Sequence, residues 1–424
     1  MKARIKHAIA IGAAIWIVPL TQAFAGIDIT AGEWTIDFTG NVNAFYVGSQ
    51  CDDGVNTAVI GGLACTGDRS AALRNGLLPA ALVFSAKTRQ DDFDIDVTVG
   101  LYPGINSSAA AGVNGAGQPA ALATPGIDAR QVYFTIGDKS WGTVKLGRDI
   151  GLFGQDAILD DMTLFGVGTA SGNAAPGNTS LGRIGIGYIY TDWEPQITYI
   201  SPSYNGFSGS IGIFQPLDAT GAGAANSVTA QYTSHEAPQV QAGVSYAWGD
   251  PKSDALSGKV WINAVTQQVK ASQADIAANE VGASTKYTGT AVDGGVKIDA
   301  AGFEGVLYGY TGKGVGTTGL YILSSSSLGD TRKSYGGYAQ ATYKIQKLKI
   351  GLSYGLSELK LADDENTPAL SDLLKRNSSG VFGLYYSLTK SVTLVGEFID
   401  SKAQAWNGNS ATEKDFALGG ILFF

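Results

Sequence analysis

From Trp34 onward the chain alternates. The even positions read Trp34, Ile36, Phe38, Gly40, Val42, Ala44 and Tyr46, and the odd positions between them read Thr35, Asp37, Thr39, Asn41 and Asn43. A period of two sends one set to each face of a β-strand. A strand in a soluble sandwich alternates too, but this length, with an aromatic near each end, predicts a lipid-facing strand anchored at two interfaces. The rhythm returns in Phe93, Ile95, Val97, Val99 and Leu101, set against Asp94, Asp96 and Thr98. Their Asp-x-Asp spacing is the strand period itself, so a wetted face accounts for it without a metal.

The same pattern predicts hairpins at 81–102, 128–148, 195–216, 227–249, 290–312, 333–360 and 376–403, and a last strand at 413–424. Short turns such as His235-Glu236-Ala237-Pro238 and Ala300-Ala301-Gly302 join the strands of a pair. Longer Gly/Ser/Asp-rich stretches such as 313–332 and 361–375 separate the pairs. Short turns at one end and long loops at the other predict an all-β fold, a transmembrane antiparallel up-and-down barrel of 16 strands with both termini on the periplasmic side. Ile184–Tyr190 and Val260–Thr266 are strand-like but find no partner in this scheme; counted as strands, they raise the number to 18.

One connection is unlike the rest. The strand Trp141–Arg148 runs into Asp149–Gly166, and no tight turn follows until about Gly182. Connections this long are functional or disordered. Ile158, Leu159, Met162, Leu164 and Phe165 require burial, whereas Asp156, Asp160 and Asp161 require water or cations. A segment folded back into a water-filled barrel meets both demands, with its apolar side on the wall and its carboxylates toward the bore.

The phrase Gly142–Arg148 followed by this connection resembles the strand and constriction loop of the general porins of Gram-negative outer membranes. Gly40–Tyr46, Arg130–Phe134, Ser201–Ser210 and the terminal Phe424 extend the resemblance over nearly the whole chain. It implies an outer-membrane location, a homotrimer of barrels each with its own pore, and passive diffusion of ions and small hydrophilic solutes. It also implies that the loop at 104–126 latches onto a neighbouring subunit, and that Arg130 is a wall cation facing the constriction. Phe416, Leu418, Leu422 and Phe424 share one parity, and a terminal aromatic resembles the signal that such barrels show their insertion machinery. Two departures stand out: Ala81-Leu82-Val83-Phe84-Ser85 replaces an arginine-bearing strand, and Met162-Thr163-Leu164-Phe165-Gly166 replaces the usual loop motif.

Lys2, Arg4 and Lys6 precede an apolar run from Ala8 to Leu20 and an Ala23-Phe24-Ala25 cleavage site. Residues 1–25 read as a secretory signal peptide, which leaves 26–424 as the barrel. Without the three leader cations the 29 basic residues fall to 26 against 37 acidic, a net charge of −11. This excludes a nucleic-acid partner. Cys51 and Cys65, the only cysteines, flank one exported loop and predict a disulfide; no metal site and no cofactor is read.

Parity marks the candidate selecting residues. Lys145, Lys297 and Lys349 alternate with apolar neighbours and point into the lumen. Arg130 shares parity with Val132 and Phe134, which argues for the lipid side, against the resemblance. Opposed to these cations stand Asp156, Asp160 and Asp161, although an aspartate here, Asp156 above all, could instead cap a short helical turn. Charged rings of this kind set selectivity in a pore.

An enzyme is disfavoured because only His7 and His235 occur and general-base chemistry usually wants a positioned histidine. A plugged adhesin barrel and a substrate-specific channel for small organic anions remain as other readings.

Overall fold

The computed structural model describes residues 26–52, 56–105, 126–170, 172–173, 176–221, 228–278, 285–368 and 371–424. The expected leader at 1–25 and most of the expected latch, 106–125, lie outside the described residues.

All the described strands form one antiparallel sheet. In chain order they are β1 (Ile27–Ala31), β2 (Trp34–Cys51), β3 (Ser70–Arg74), β4 (Ala81–Gln90), β5 (Phe93–Pro103), β6 (Ile127–Asp138), β7 (Gly142–Ile150), β8 (Trp193–Ile200) and β9 (Phe207–Phe214). The second half continues with β10 (Gln239–Trp248), β11 (Ser257–Lys270), β12 (Lys286–Ala300), β13 (Phe303–Lys313), β14 (Lys333–Ile345), β15 (Leu348–Leu359), β16 (Leu374–Ser387), β17 (Val392–Ala405) and β18 (Ser410–Phe423).

Eighteen strands fill sixteen places in the ring. Along one edge of β2, β4 pairs with Thr35–Asn41 and β3 with Phe45–Ser49. Along the other edge, β1 pairs with Trp34–Phe38 and β18 with Asn41–Cys51. The β18–β2 ladder closes the barrel, and beyond it Gly40 and Phe424 exchange backbone hydrogen bonds of 2.9 and 3.1 Å. Glycine is required there: a Cβ on Gly40 would stand 2.2 Å from the Ala81 carbonyl oxygen and 2.8 Å from the Phe424 ring.

The two faces follow the sequence parity. On β2, Val42 is 52% exposed while Asn43 is 2% exposed. Leu82, Phe84, Phe134, Ile197, Leu307 and Phe398 carry the outward apolar band around the barrel. Aromatics gather beside the short turns, where Tyr199 donates to the Trp141 carbonyl and Phe207 packs on Tyr246 with ring centroids 4.4 Å apart. Tight two-residue turns occur where expected: Asp91 and Asp92 have φ of 45° and 70°, and Ala301 and Gly302 have 48° and 84°. Two consecutive positive φ values match the right-handed twist of a hairpin.

The structure corrects one hairpin. Val260–Thr266 belongs to β11, paired on both sides by β10 and β12, so it takes the place that 227–234 held in the expected pair. Residues 228–238 lie in the long loop before β10, where Tyr232 bonds Ala219 and His235 stands 2.8 Å from Asp218. His235 is therefore on the long-loop side, and the short-turn side is served by 249–256. Ile184–Tyr190 is not a barrel strand but part of the inward-folded connection. Its alternating glycines bend instead of extending: Gly185 and Gly187 have φ of 74° and 143°. Cys51 and Cys65 are joined by a disulfide.

Candidate functional site

The connection between β7 and β8 folds into the barrel. It carries α1 (Gln155–Leu159) and a 3₁₀ turn (Met162–Phe165). The wall holds it through backbone groups that no intraloop partner satisfies. Gln241 of β10 accepts from the N–H groups of Leu152 and Phe153, and Asp293 of β12 accepts from Gly154 at 2.6 Å. Gln340 of β14 accepts from Met162 and donates to the Asp160 carbonyl. Glu397 of β17 accepts from Val167 and Gly168 at 2.8 and 2.9 Å and from the Tyr385 hydroxyl. Each removes a buried donor or acceptor that would otherwise cost about 1–3 kcal/mol.

Apolar packing does the rest. Phe153, Ala157, Ile158, Leu164, Tyr188 and Ile189 pack against the wall residues Trp261, Val265, Tyr308 and Tyr338. Leu152, Gln155, Asp156, Leu159 and Asp160 remain partly exposed. Their spacing of three or four residues is one face of a helix turn. The connection thus turns its greasy side to the wall, and most of its polar side toward the space that remains.

The three aspartates have different surroundings. Asp156 lies in the first turn of α1 and pairs with Lys259 of β11. Asp160 lies 3.1 Å from Lys297 of β12, which also reaches Glu304 of β13 at 3.2 Å. Burial holds the Asp160 carboxyl above the usual aspartate range, against the pull of Lys297. Asp161 is turned away from the bore and is 3% exposed. It caps the 3₁₀ turn, accepting from the Thr163 N–H and hydroxyl, and it accepts from Tyr188 at 3.0 Å. Burial raises its carboxyl as well, opposed by Arg183. The capping role open for Asp156 is taken by Asp161 on the 3₁₀ turn; the residue before α1 is Gly154, which has no side chain to cap it.

The wall cations have partners that parity did not give. Lys145 is buried, paired with Asp149 and placed over the Tyr133 ring. Lys349 lies 5.4 Å from the Tyr385 ring centroid. Arg130 is brought inward by a register shift between Gly100 and Leu101, where β5 skips one residue of β6. It stacks over Tyr102 at 5.4 Å and bonds Asp128 at 3.0 Å. A bulge re-aims a side chain in this way, which removes the conflict between parity and resemblance. The loop carboxylates and their lysines are neighbours on one side of the bore, not opposite banks.

Sequence reasoning passed over three fully buried arginines. Arg74 donates to the Ala170 and Thr179 carbonyls, Arg183 to Ser353 and the Ser379 carbonyl, and Arg332 forms a two-pronged pair with Glu365. Arg74 and Arg332 tie loop segments together, and Arg183 ties the inward connection to β15 and β16. Each lies outside a strand or at its end, so period-two patterning could not find them. Lys259 was missed because β11 had no assigned partner.

A closed antiparallel barrel with an apolar outer band and a segment folded into its bore is a membrane-spanning channel protein. The sequence matches the Gram-negative porin family over residues 18–405, and the chain belongs to that family. It is a passive diffusion channel of the outer membrane. Among solved structures it is similar to the outer-membrane channel DcaP of Acinetobacter baumannii, with a TM-score of 0.64 and 13% identity over 93% of this chain and 99% of that one. It is also similar to OmpF of Salmonella typhi, with a TM-score of 0.55 and 12% identity over 94% of this chain and all of that one. OmpT of Vibrio cholerae gives 0.51 and 12% over 94% and 99%. No curated protein matches the sequence.

Proposed function

We propose that ions and small hydrophilic solutes pass the bore and are sorted weakly at the face of the inward connection that carries Asp156 and Asp160. The reading rests on their placement: both carboxylates are partly exposed, and each has a wall lysine beside it, Lys259 or Lys297. Adjacent opposite charges make a short-ranged field, which screens within about 8–10 Å in physiological salt. Such a waist discriminates by size and by local polarity more than by net charge. Lys349 and Arg130 add further wall cations, while Lys145 is buried against Asp149. Asp161 contributes by holding the connection in shape.

The finer expectations belong to the same proposal. The chain is exported by the leader at 1–25, is inserted through recognition of Phe424, assembles as a homotrimer in outer-membrane lipid, and catalyses no reaction. OmpT has been solved in a trimer form, which supports the assembly. Replacing Asp156 and Asp160 together by Asn is expected to move the reversal potential under a salt gradient toward anions; an unmoved potential removes them from the selecting set.

A second reading, a channel specific for small organic anions, draws on one observation. The inward positions of β4 include Val83 and Ser85 in place of wall arginines, so the remaining cations are fewer and more individually placed. Liposome swelling with sugars, amino acids and carboxylates separates the two: a marked preference for carboxylates at equal size favours the specific channel.

A further inference from the structure

Two pairs of lysines oppose each other across neighbouring strands inside the barrel. On β11 and β12, Lys259 is the register partner of Lys297. On β14 and β15, Lys344 is the register partner of Lys349. Parity sends the second pair inward. Gln340 and Thr342, which alternate with Lys344, are buried, as are Gly351 and Ser353, which alternate with Lys349, whereas Tyr343 and Leu352 are exposed on the outer face.

Like charges directly opposite one another repel, and the first pair is answered. The inward connection brings Asp156 to Lys259 and Asp160 to Lys297 at 3.1 Å, and Lys297 also reaches Glu304 at 3.2 Å. The second pair is not answered. Glu304 opposes Thr342, one inward row toward the long loops, and is engaged by Lys297; among the described residues no carboxylate forms an ion pair with Lys344 or Lys349. On the neighbouring arc of the same mouth, Asp37 pairs with Lys87, and Asp94 and Asp138 pair with Arg89.

The unanswered pair is held in place and lies on the route. Lys349 rests over the Tyr385 ring, which is buried and fixed by its hydroxyl bond to Glu397. The Lys344 backbone N–H donates to the Gly302 carbonyl at 2.8 Å, and its side chain is exposed. In the inward row toward the long loops Thr342 pairs with Gly351, and a Cβ on Gly351 would stand 2.7 Å from Met162 Sδ. That row therefore lies beneath the inward connection. The lysines follow two residues farther along, about 6.6 Å at roughly 3.3 Å per residue, on the short-turn side of the waist.

We infer that Lys344 and Lys349 form a binding subsite for a small dianionic solute. Opposed Cβ atoms stand about 4.5–5.5 Å apart, so the two ammonium groups can converge on one doubly charged oxyanion or on the two ends of a short dicarboxylate. Lysine serves as a compact point charge with rotatable donors toward either. The solute supplies here what Asp156 and Asp160 supply at the first pair. The inference rests on the reading that solutes pass the bore, and it adds a class to that reading: dianions held just beyond the waist.

The test reads single-channel current through the full-length protein in a planar bilayer, at low ionic strength because salt screens exposed charges. Current in KCl alone reports the open bore. Succinate or hydrogen phosphate is then added at a pH where each is doubly charged, with acetate as the monoanion control. The dianions are expected to interrupt the wild-type current at concentrations at least tenfold below acetate. Lys344→Gln/Lys349→Gln should lose at least tenfold of that potency, and Lys344→Arg/Lys349→Arg should keep it. Lys344→Gln alone, at an exposed position, should lose at least threefold and serves if the double variant fails to fold. Its unfolding temperature should not fall, because it removes a repulsion; a fall would give Lys344 a structural partner and overturn the inference. A response to only one of the dianions supports the subsite and identifies its oxyanion. No response, equal potency of acetate and dianions, or an unchanged response in the double variant overturns the inference, while open current in KCl leaves the transport reading standing. A bore closed in KCl overturns both.

Discussion

The two halves of the bore use one strand pattern for opposite ends. Toward the short turns, inward positions such as Thr35, Asp37, Lys87, Asp94 and Lys349 keep contact with water. Toward the long loops, inward positions on the same or neighbouring strands are sealed: Val47, Ser401 and Ala403 have no exposed surface, and Phe45 has 1%. The difference comes from what is laid against them. The described residues of the inward connection, among them Met162, Val167, Thr169 and Asn173, cover the upper wall and convert lumen-facing positions into a packing surface. Parity says which side of the sheet a residue takes; only the folded-in segment decides whether that side is solvent or core.

The comparison can be broken most decisively by removing the segment. Excising 154–188 and bridging the ends with a short Gly/Ser linker should raise single-channel conductance several-fold, because the upper half would then be as open as the lower. Conductance near the wild-type value would mean that the narrowing lies elsewhere.

A smaller effect is expected when one anchor is cut. Glu397→Ala strands the N–H groups of Val167 and Gly168, at a cost of about 1–3 kcal/mol for each group left unpaired. Open-channel noise should rise and the unfolding temperature should fall. Lys87→Ala in the wet half is the control. Its ion pair with Asp37 is 3.1 Å long, but the lysine side chain is 55% exposed, so the loss should stay within about 0–1 kcal/mol. Equal losses at the two sites would erase the distinction between the halves.

Acidification sharpens the comparison further. Burial raises the Asp160 carboxyl above its ordinary range. A raised carboxyl takes its proton at a higher pH than a free one, so the drift of selectivity toward anions should begin above the usual aspartate range as pH falls. The protonated form is the one the fold favours, and its contribution to stability is present at low pH and is lost as pH rises through the raised value. Asp160→Asn should abolish that early part of the titration, as followed by reversal potential against pH.

The least effect on transport is expected at the disulfide. Cys51→Ser/Cys65→Ser opens a bond with a sequence separation of 14, which can cost up to about 3 kcal/mol of stability for a loop of this size. Proteolysis of residues 52–64 should quicken while conductance holds.

Much of the barrel could be read from the chain because its signal is local. Alternation on β2, β5 and β18 and the tight turns at Asp91-Asp92 and Ala301-Gly302 concern near neighbours only. The hairpin at 227–249 failed for a physical reason. His235-Glu236-Ala237-Pro238 has turn chemistry, but so does 249–256, and only pairing with β11 tells them apart. Ile184–Tyr190 has a strand's alternation, yet Gly185 and Gly187 curl it into the bore. At the waist, residue types were legible and partners were not. Nothing near Asp160 in sequence announces Lys297, and nothing in parity announces the skipped residue that brings Arg130 inside.

The seam where Gly40 meets Phe424 sets a timetable for biogenesis. Asn41 and Phe423 are register partners, so the earliest hydrogen-bonding edge waits for the last segment to be delivered. Ladders between such distant residues form late, after a large loss of chain entropy. Until then two raw edges stand open to any stray strand. A polypeptide built this way has to be kept from sticking to its neighbours during its passage to the membrane, and one that loses β18 would remain a sheet with nowhere to close.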